Sequence, residues 1–432
     1  MSNLNKYIKK LMDKGLFHIF GANIINKIIL FFNNAVIVRL VTIQEFSAYS
    51  YANNILSIVL LLNGLGVTSG LLQFCSSNIP KGNKASYEKY AYKIGVISNL
   101  IITLMILIIS VIIKLPVDSS NGLLLLMSGM PVLSFILEYV MIKFRTNLQN
   151  DKFSYINTIN TVLIFLSTII GGLIGDIDTI IMLRYVSTII PIIVAYLWLK
   201  KDINQITRAK VLLKSTKSEF MKFSITSLTN NALSQILYLF DIFLIGILIT
   251  DNTSVGIYRT ATLIPFTLNF IPLSIATFIY PYFVVNSNNK RWLIKNTKRL
   301  ISIMALFNII ISLVLVIFAP LIIRLLFGQQ YIEAVPSFRL LSIGYFIAGT
   351  FRIPVGNILT MLKKIKYLLF VTISTGIVNI VLDYILISRI GYNGAAVTVV
   401  IVYTLSSLMT FPYLVYNLKH GISKHINKKT TV

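Results

Sequence analysis

The sequence predicts an all-α integral membrane protein of twelve transmembrane helices in two six-helix bundles, and three observations carry that prediction. Of 432 residues, 56% are hydrophobic and only 12% charged, and the mean hydropathy is +0.80. Apolar runs of about 20 residues recur along the chain, the length a helix needs to cross ~30 Å of hydrocarbon. The basic residues gather in short clusters between those runs. Continuous apolar runs of this length are helices rather than barrel strands, because each helix satisfies its own backbone hydrogen bonds in lipid.

In chain order the spans fall near residues 16 to 40, 47 to 74, 93 to 114, 122 to 144, 153 to 175 and 177 to 199, then 223 to 250, 256 to 284, 300 to 327, 337 to 362, 367 to 389 and 391 to 417. Counting Lys and Arg in alternate connections sets the orientation. The N-terminal segment with Lys6, Lys9, Lys10 and Lys14, the connections after every even-numbered span, and the tail with Lys419, Lys424, Lys428 and Lys429 hold all but nine of the 39 basic residues. By the positive-inside rule that side and both termini are cytoplasmic. The same distribution accounts for the net charge of +25 and argues against nucleic-acid binding. The first basic residues lead into a full-length span, so no cleaved signal peptide is expected. A single cysteine, Cys75, excludes an internal disulfide and a multi-cysteine metal site.

An internal repeat relates the halves. Glu45-Phe46-Ser47-Ala48-Tyr49 after the first span matches Ser254-Val255-Gly256-Ile257-Tyr258 after the seventh, Phe153-Ser154-Tyr155 matches Ile365-Lys366-Tyr367, and Ile174-Gly175 matches Ile390-Gly391. Six intervening spans give both halves one orientation, so their pseudo-two-fold axis is expected along the membrane normal. The domains are then 1–199, a basic cytoplasmic linker at 200–222, and 223–432 with its basic tail. The linker mixes Ile203, Ile206, Val211, Leu212 and Leu213 with its cations. It reads equally as an amphipathic surface helix or a solvated loop.

Ionisable groups inside the spans are the functional candidates, since a charge at a helix centre costs about 2.5–3.5 kcal/mol even on lenient scales. Asp241 lies in the seventh span on a polar stripe with Ser227, Asn230, Asn231, Ser234 and Tyr238. The first span carries a matching stripe of Asn23, Asn26, Lys27, Asn33 and Asn34. A cation and an anion on repeat-related helices suggest a central cleft, with a structural Lys27–Asp241 ion pair as the competing reading. Arg39, Arg184, Arg259, Arg339 and Arg352 would supply positive potential around the outer half, where forked guanidinium groups suit phosphate. Individual pairing with headgroups or helix-end carbonyls is the alternative for each of them. Six prolines, Pro131, Pro191, Pro265, Pro272, Pro281 and Pro354, interrupt spans, and the eighth span with three of them is expected to bend. No Gly-rich nucleotide loop and no His-Glu-x-x-His site is present, which leaves no cofactor or resident metal to expect and argues against an enzyme. Asp176-Ile177-Asp178 is the one glycosyltransferase-like triplet, in a tight outer turn.

The first outer turn Leu40-Val41-Thr42-Ile43-Gln44-Glu45-Phe46-Ser47-Ala48-Tyr49, and Asp241-Ile242-Phe243-Leu244-Ile245-Gly246 leading to Val255-Gly256-Ile257-Tyr258, resemble a polysaccharide-export flippase. The group is the Wzx-type O-antigen translocases of the multidrug/oligosaccharidyl-lipid/polysaccharide superfamily, and the likeness covers nearly the whole chain. Ser47 stands where that family usually has glycine. The resemblance implies a MATE-like fold in the bacterial inner membrane and transfer of an undecaprenyl-pyrophosphate-linked oligosaccharide from inner to outer leaflet by alternating access. Lys27 and Arg352 would then hold pyrophosphate, the asparagines would contact sugars, and Asp241 would bind a proton or sodium ion or act as a gating charge. The polysaccharide polymerase machinery is the expected protein partner and the bilayer the expected setting. Two rivals stand beside it: a cation-coupled multidrug exporter of the same superfamily, and an outer-face membrane glycosyltransferase or polymerase, for which the outer turns are short.

Overall fold

A computed structural model describes residues 16–76, 81–207, 211–286 and 289–421. Lys6, Tyr7, Lys9, Lys10, Lys14, Arg208, Lys210, Lys424, Lys428 and Lys429, and the side chains of Lys81, Lys201, Ser234 and Pro281, lie outside the described residues. Among the described residues every regular element is helical. Ten helices are long and apolar enough to cross a membrane, and twelve spans result when each of two bent pairs counts as one.

The spans are α1 (Leu16–Leu40), α2 (Ile43–Cys75, broken at Asn63–Gly66), α3 (Lys81–Ile112), α4 (Ser120–Leu126 with Met130–Thr146, bent by 43°), α5 (Asn150–Ile174) and α6 (Ile177–Thr207). They continue with α7 (Lys214–Leu248, bent by 57° between Leu233 and Tyr238), α8 (Ser254–Leu268 with Phe270–Val285), α9 (Lys290–Ile317), α10 (Gln329–Met361), α11 (Ile365–Ile390) and α12 (Tyr392–Tyr416). Most of the 200–222 stretch is helical, the first part extending α6 to Thr207 and the last part opening α7 at Lys214. The interruption of α8 falls at Asn269, three residues before Pro272.

The chain forms two compact units, Met1–Leu239 and Phe240–Val432, so α7 contributes to both. Each unit has its own apolar cluster. Val67, Leu71, Phe135, Phe144, Ile156, Leu199 and Phe220 anchor the first, and Leu293, Val355, Ile358, Leu359 and Leu414 the second. The same pairing scheme recurs inside each unit: α2 and α3 pack on α4, α4 on α6 and α5 on α6, just as α8 and α9 pack on α10, α10 on α12 and α11 on α12. Outward faces carry Ile101, Ile112, Leu306, Ile310 and Ile377, all more than half exposed, as expected where lipid rather than water is the surrounding solvent.

The repeat positions read from the sequence occupy matching structural roles. Thr42 and Glu45 form a reciprocal cap at the start of α2, Glu45 Oε2 accepting from Thr42 N at 2.8 Å. At the start of α8 Asp251 does the equivalent work, accepting from Thr253 N at 3.2 Å and from the Ser254 hydroxyl at 2.9 Å. Gly175 and Gly391 end α5 and α11, each N–H bonding back to the carbonyl four residues earlier. Close approach follows in both hairpins. A Cβ on Gly171 would lie 2.8 Å from the Ile180 Cα, and one on Gly394 would lie 2.3 Å from the Leu386 carbonyl carbon.

Candidate functional site

The Gly394 contact draws α12 against α11, and this approach builds the polar centre of the second unit. Asn379 and Asp383, four residues apart on one face of α11, are 4% and 0% exposed. Asp241, on the second arm of α7, is buried beside them with its carboxyl group next to both Asp383 and Asn379. Tyr258 OH, oriented by the capped start of α8, donates to Asp241 Oδ2 at 2.8 Å. Asn379 Nδ2 donates to Asp383 Oδ2 at 3.2 Å, and Thr398 of α12 contacts the Asp383 carboxyl.

Three oxygens of this cluster, Asp241 Oδ1, Asn379 Oδ1 and Asp383 Oδ1, are buried without a hydrogen-bond partner. An unpaired buried acceptor costs about 1–3 kcal/mol, and two carboxylates in contact cannot both stay ionised without a compensating positive charge. A proton shared between the two aspartates satisfies part of that demand. A small cation suits the donor set as well, because hard oxygen ligands of this kind are what alkali and alkaline-earth ions take. The oxygens present therefore fit either ion.

The first unit uses its repeat-related tyrosine differently. Tyr49, matched to Tyr258, accepts from Arg184 Nη1 at 3.3 Å. Arg184 lines a cavity of about 320 Å³ with Asn53, Ser57, Ser134, Glu138, Asn160 and Thr188. A second cavity of about 350 Å³, lined by Ser57, Asn63, Thr68, Glu138, Asn231 and Gln235, adjoins it through shared residues. Thus Arg184 and Asn231, both expected at a site, lie on cavities that share Glu138.

The other expected residues are placed as follows. On α1, Asn23 and Lys27 are exposed, while Asn26 is buried with neither amide atom partnered. Arg39 is exposed in the last turn of α1, where a cation complements the helix dipole. Asn230 is exposed on the first arm of α7. Arg259, half-buried, follows Tyr258 on α8. Arg339 Nε donates to the Val316 carbonyl at 3.1 Å, at the C-terminal end of α9. Arg352 sits in a π-turn of α10, its guanidinium 4.8 Å from the centre of the Tyr403 ring, a cation–π arrangement. Lys27 and Arg352 belong to different units.

Two carboxylates at these sites escaped the sequence reading, the buried Asp383 and the half-buried Glu138. Each stands in a span as Asp241 does, in Val381-Leu382-Asp383-Tyr384 and Ile136-Leu137-Glu138-Tyr139. The signal that singled out Asp241 was present at both.

The sequence profile of the family described as "Polysaccharide biosynthesis protein" matches residues 36–336. No curated protein matches the chain. Among solved structures, the chain resembles one described as "Lipid II flippase MurJ, inward closed conformation", with a TM-score of 0.73 at 16% identity, covering 93% of this chain and 87% of that one. It also resembles an inward-facing multidrug resistance MATE family transporter of the MOP superfamily, with a TM-score of 0.78 at 12% identity over 92% and 96% of the two chains. A MOP superfamily transporter from Pyrococcus furiosus gives 0.61 at 13% identity over 95% and 96%. At such identities the likeness is one of fold, and the fold is the twelve-helix MATE-like architecture expected from the sequence.

Proposed function

Because this chain belongs to the polysaccharide biosynthesis protein family, we propose that it is a flippase that carries a lipid-linked oligosaccharide across the bilayer. The substrate in this reading is an undecaprenyl-pyrophosphate-linked repeat unit, of O-antigen or similar type, moved from the inner to the outer leaflet of a bacterial inner membrane. A pyrophosphate bearing sugars cannot cross about 30 Å of hydrocarbon unaided. The protein's task is to replace the water around the headgroup while the polyprenyl tail stays in lipid.

The observation that carries the proposal is the buried Asp241–Asp383 pair with its unpartnered oxygens. A transporter that couples alternating access to an ion gradient needs a group whose charge changes during the cycle, and membrane potential supplies about 2.3 kcal/mol per charge per 100 mV. A bound proton or sodium ion removes one of the two charges that this pair carries when ionised. Tyr258 and Asn379 hold the two carboxyl groups in place, and burial keeps bulk water from competing for them. Lys27 and Arg352 remain the proposed pyrophosphate contacts, with Arg39, Arg184, Arg259 and Arg339 contributing positive potential. Asn23, Asn26, Asn230 and Asn231 are proposed sugar contacts. A polysaccharide polymerase is the proposed acceptor of the product.

One observation favours the rival export of cationic drugs: the spans carry the buried Asp241 and Asp383 and the half-buried Glu138, and an organic cation would find partners there. The nine basic residues in or at the ends of spans weigh toward an anionic headgroup.

Purified protein in vesicles, loaded with a lipid-linked oligosaccharide and assayed for headgroup accessibility, tests the reading. Translocation is expected to fall on collapse of the proton or sodium gradient and to drop in Lys27→Ala and Arg352→Ala. Unaltered translocation in both folded variants removes the pyrophosphate assignment, and no translocation by the wild type removes the flippase reading itself.

A further inference from the structure

Glu138 takes no part in the ion site of the second unit, yet both cavities of the first unit are lined by it. The residue stands midway along Met130–Thr146 of α4, and its Oε2 accepts from Asn63 Nδ2 at 2.7 Å, with the Thr68 side chain also in hydrogen-bond contact. Both donors flank the break in α2, where Gly64, Leu65 and Gly66 have φ of 56°, 50° and 73°. Packing explains why the break needs glycine. A Cβ on Gly64 would lie 2.8 Å from the Phe135 ring, and one on Gly66 would lie 2.3 Å from the Ser224 carbonyl oxygen. The carboxylate thus holds an irregular piece of α2 against α4.

Glu138 lines both cavities, about 320 and 350 Å³, each within the range of small-ligand pockets. Their walls combine amides and hydroxyls with one anion. Two of the wall acceptors, Asn63 Oδ1 and Asn160 Oδ1, are buried without a partner, and an ionised carboxylate can only accept. The missing complement is therefore a group rich in donors. A phosphate would bring like charge to Glu138. A lipophilic group would leave the amides unpaired, at a cost for each. An organic cation would meet the like charge of Arg184 on the wall of the first cavity. Neutral hydroxyl groups satisfy every one of these constraints.

We infer that Glu138 is the recognition carboxylate for a diol of the transported headgroup, with the two flanking cavities each receiving one hexose-sized sugar ring; this rests on the reading of the chain as a carrier of lipid-linked oligosaccharide. Two adjacent sugar hydroxyls donate to the two carboxylate oxygens and take the place of Asn63 and Thr68. Sugar binding then frees the α2 break from α4, which ties occupancy to the shape of that helix. A site built to accept hydroxyl donors rejects an analogue lacking them far more strongly than an apolar pocket rejects a missing methylene.

The test uses the full chain in lipid nanodiscs and saturation-transfer NMR with the methyl glycosides of glucose, galactose, mannose and N-acetylglucosamine. At least one glycoside is expected to bind the wild type above empty nanodiscs. Binding should weaken about tenfold in Glu138→Gln and Glu138→Ala, the scale of one lost charge-assisted hydrogen bond. In Asn63→Ala, which removes a competing donor, binding should be retained or strengthened. Equal binding in folded Glu138→Gln overturns the inference, as does a loss in Asn63→Ala matching that in Glu138→Gln. Translocation of a fluorescent undecaprenyl-pyrophosphate-linked disaccharide is measured in parallel. Translocation without glycoside binding overturns the Glu138 site alone, glycoside binding without translocation overturns the flippase reading alone, and the absence of both overturns both.

Discussion

Asp241 of α7 and Asp383 of α11 lie with their carboxyl groups next to each other, both buried, although 142 residues separate them in the chain. The pair needs a positive charge between or beside its oxygens. A bound ion should therefore stabilise the folded protein by mass action, by about 2.7 kcal/mol at a hundredfold excess over its Kd. Thermal unfolding is expected to rise by a few degrees in sodium chloride relative to choline chloride at equal ionic strength, and Asp383→Asn should abolish the rise. Indifference of the wild type to sodium, together with gradient-coupled transport that follows protons, would assign the pair to a proton instead. Indifference to both ions would remove the coupling role.

Tyr258 ties this pair to α8, its hydroxyl donating to Asp241 Oδ2 at 2.8 Å. Tyr258→Phe leaves the ring packing intact and strands a buried oxygen, at a cost of about 1–3 kcal/mol. A lowered midpoint of thermal unfolding is expected, with a weaker response to the coupling ion. The same substitution at the repeat-related Tyr49, whose hydroxyl meets Arg184 at 3.3 Å, should leave ion dependence unchanged. Equal effects at both tyrosines would show that the contact with Asp241 has no special role.

How far the sequence foretold this arrangement varies with the range of the interaction involved. Span number, all-helical architecture and the repeat pairs were legible because hydropathy and capping are local properties. Gly175 and Gly391, read as equivalent from two residues each, end equivalent helices. Asp241 was legible as a single charge in an apolar run, but its partner was not, since nothing local in α11 points to α7. Asp383 and Glu138 are hard to see because their spans are otherwise so apolar that one carboxylate hardly alters the average, although a carboxylate at either place costs free energy as Asp241 does. The break in α2 was also hidden. Leu61-Leu62-Asn63-Gly64-Leu65-Gly66 reads as continuous apolar helix, and only the neighbouring Phe135 and Ser224 show why glycine is needed.

That break yields a graded prediction. Gly66→Ala places a Cβ 2.3 Å from a backbone carbonyl oxygen, whereas Gly64→Ala places one 2.8 Å from a side-chain ring that can shift. Both positions have positive φ, where a side chain adds roughly 1 kcal/mol or more of backbone strain. Gly66→Ala is expected to be the more destabilising in thermal unfolding, and the reverse order would mean that Phe135 rather than α7 fixes the break.

At the start of α8, Asp251 gives a prediction about pH. Partial burial pushes its carboxyl up, but the hydroxyl and N–H donors of Thr253 and Ser254 outweigh this, and the group sits below the ordinary 3.8. A carboxyl held lower in the folded state than in the unfolded one contributes stability above about pH 4 that is lost as pH falls through the folded value. The wild type should therefore exceed Asp251→Asn in unfolding temperature at pH 6, and the difference should shrink between pH 4 and 3. A difference that grows on acidification would reverse the sign and rule out the cap as its source.

Lys143 and Glu88 form an ion pair of 3.2 Å with side chains 1% and 7% exposed, so both charges have lost nearly all their water. Breaking such a pair by removing one partner leaves an uncompensated buried charge and costs about 3–5 kcal/mol, whereas replacing both by neutral groups of similar volume is close to neutral. Lys143→Met is therefore expected to destabilise the first unit strongly, and adding Glu88→Gln should restore most of the loss even though it removes a second polar partner. Unfolding by heat in detergent measures both. A double variant no more stable than Lys143→Met alone would mean that the lysine's aliphatic packing, and not its charge, is what the first unit requires.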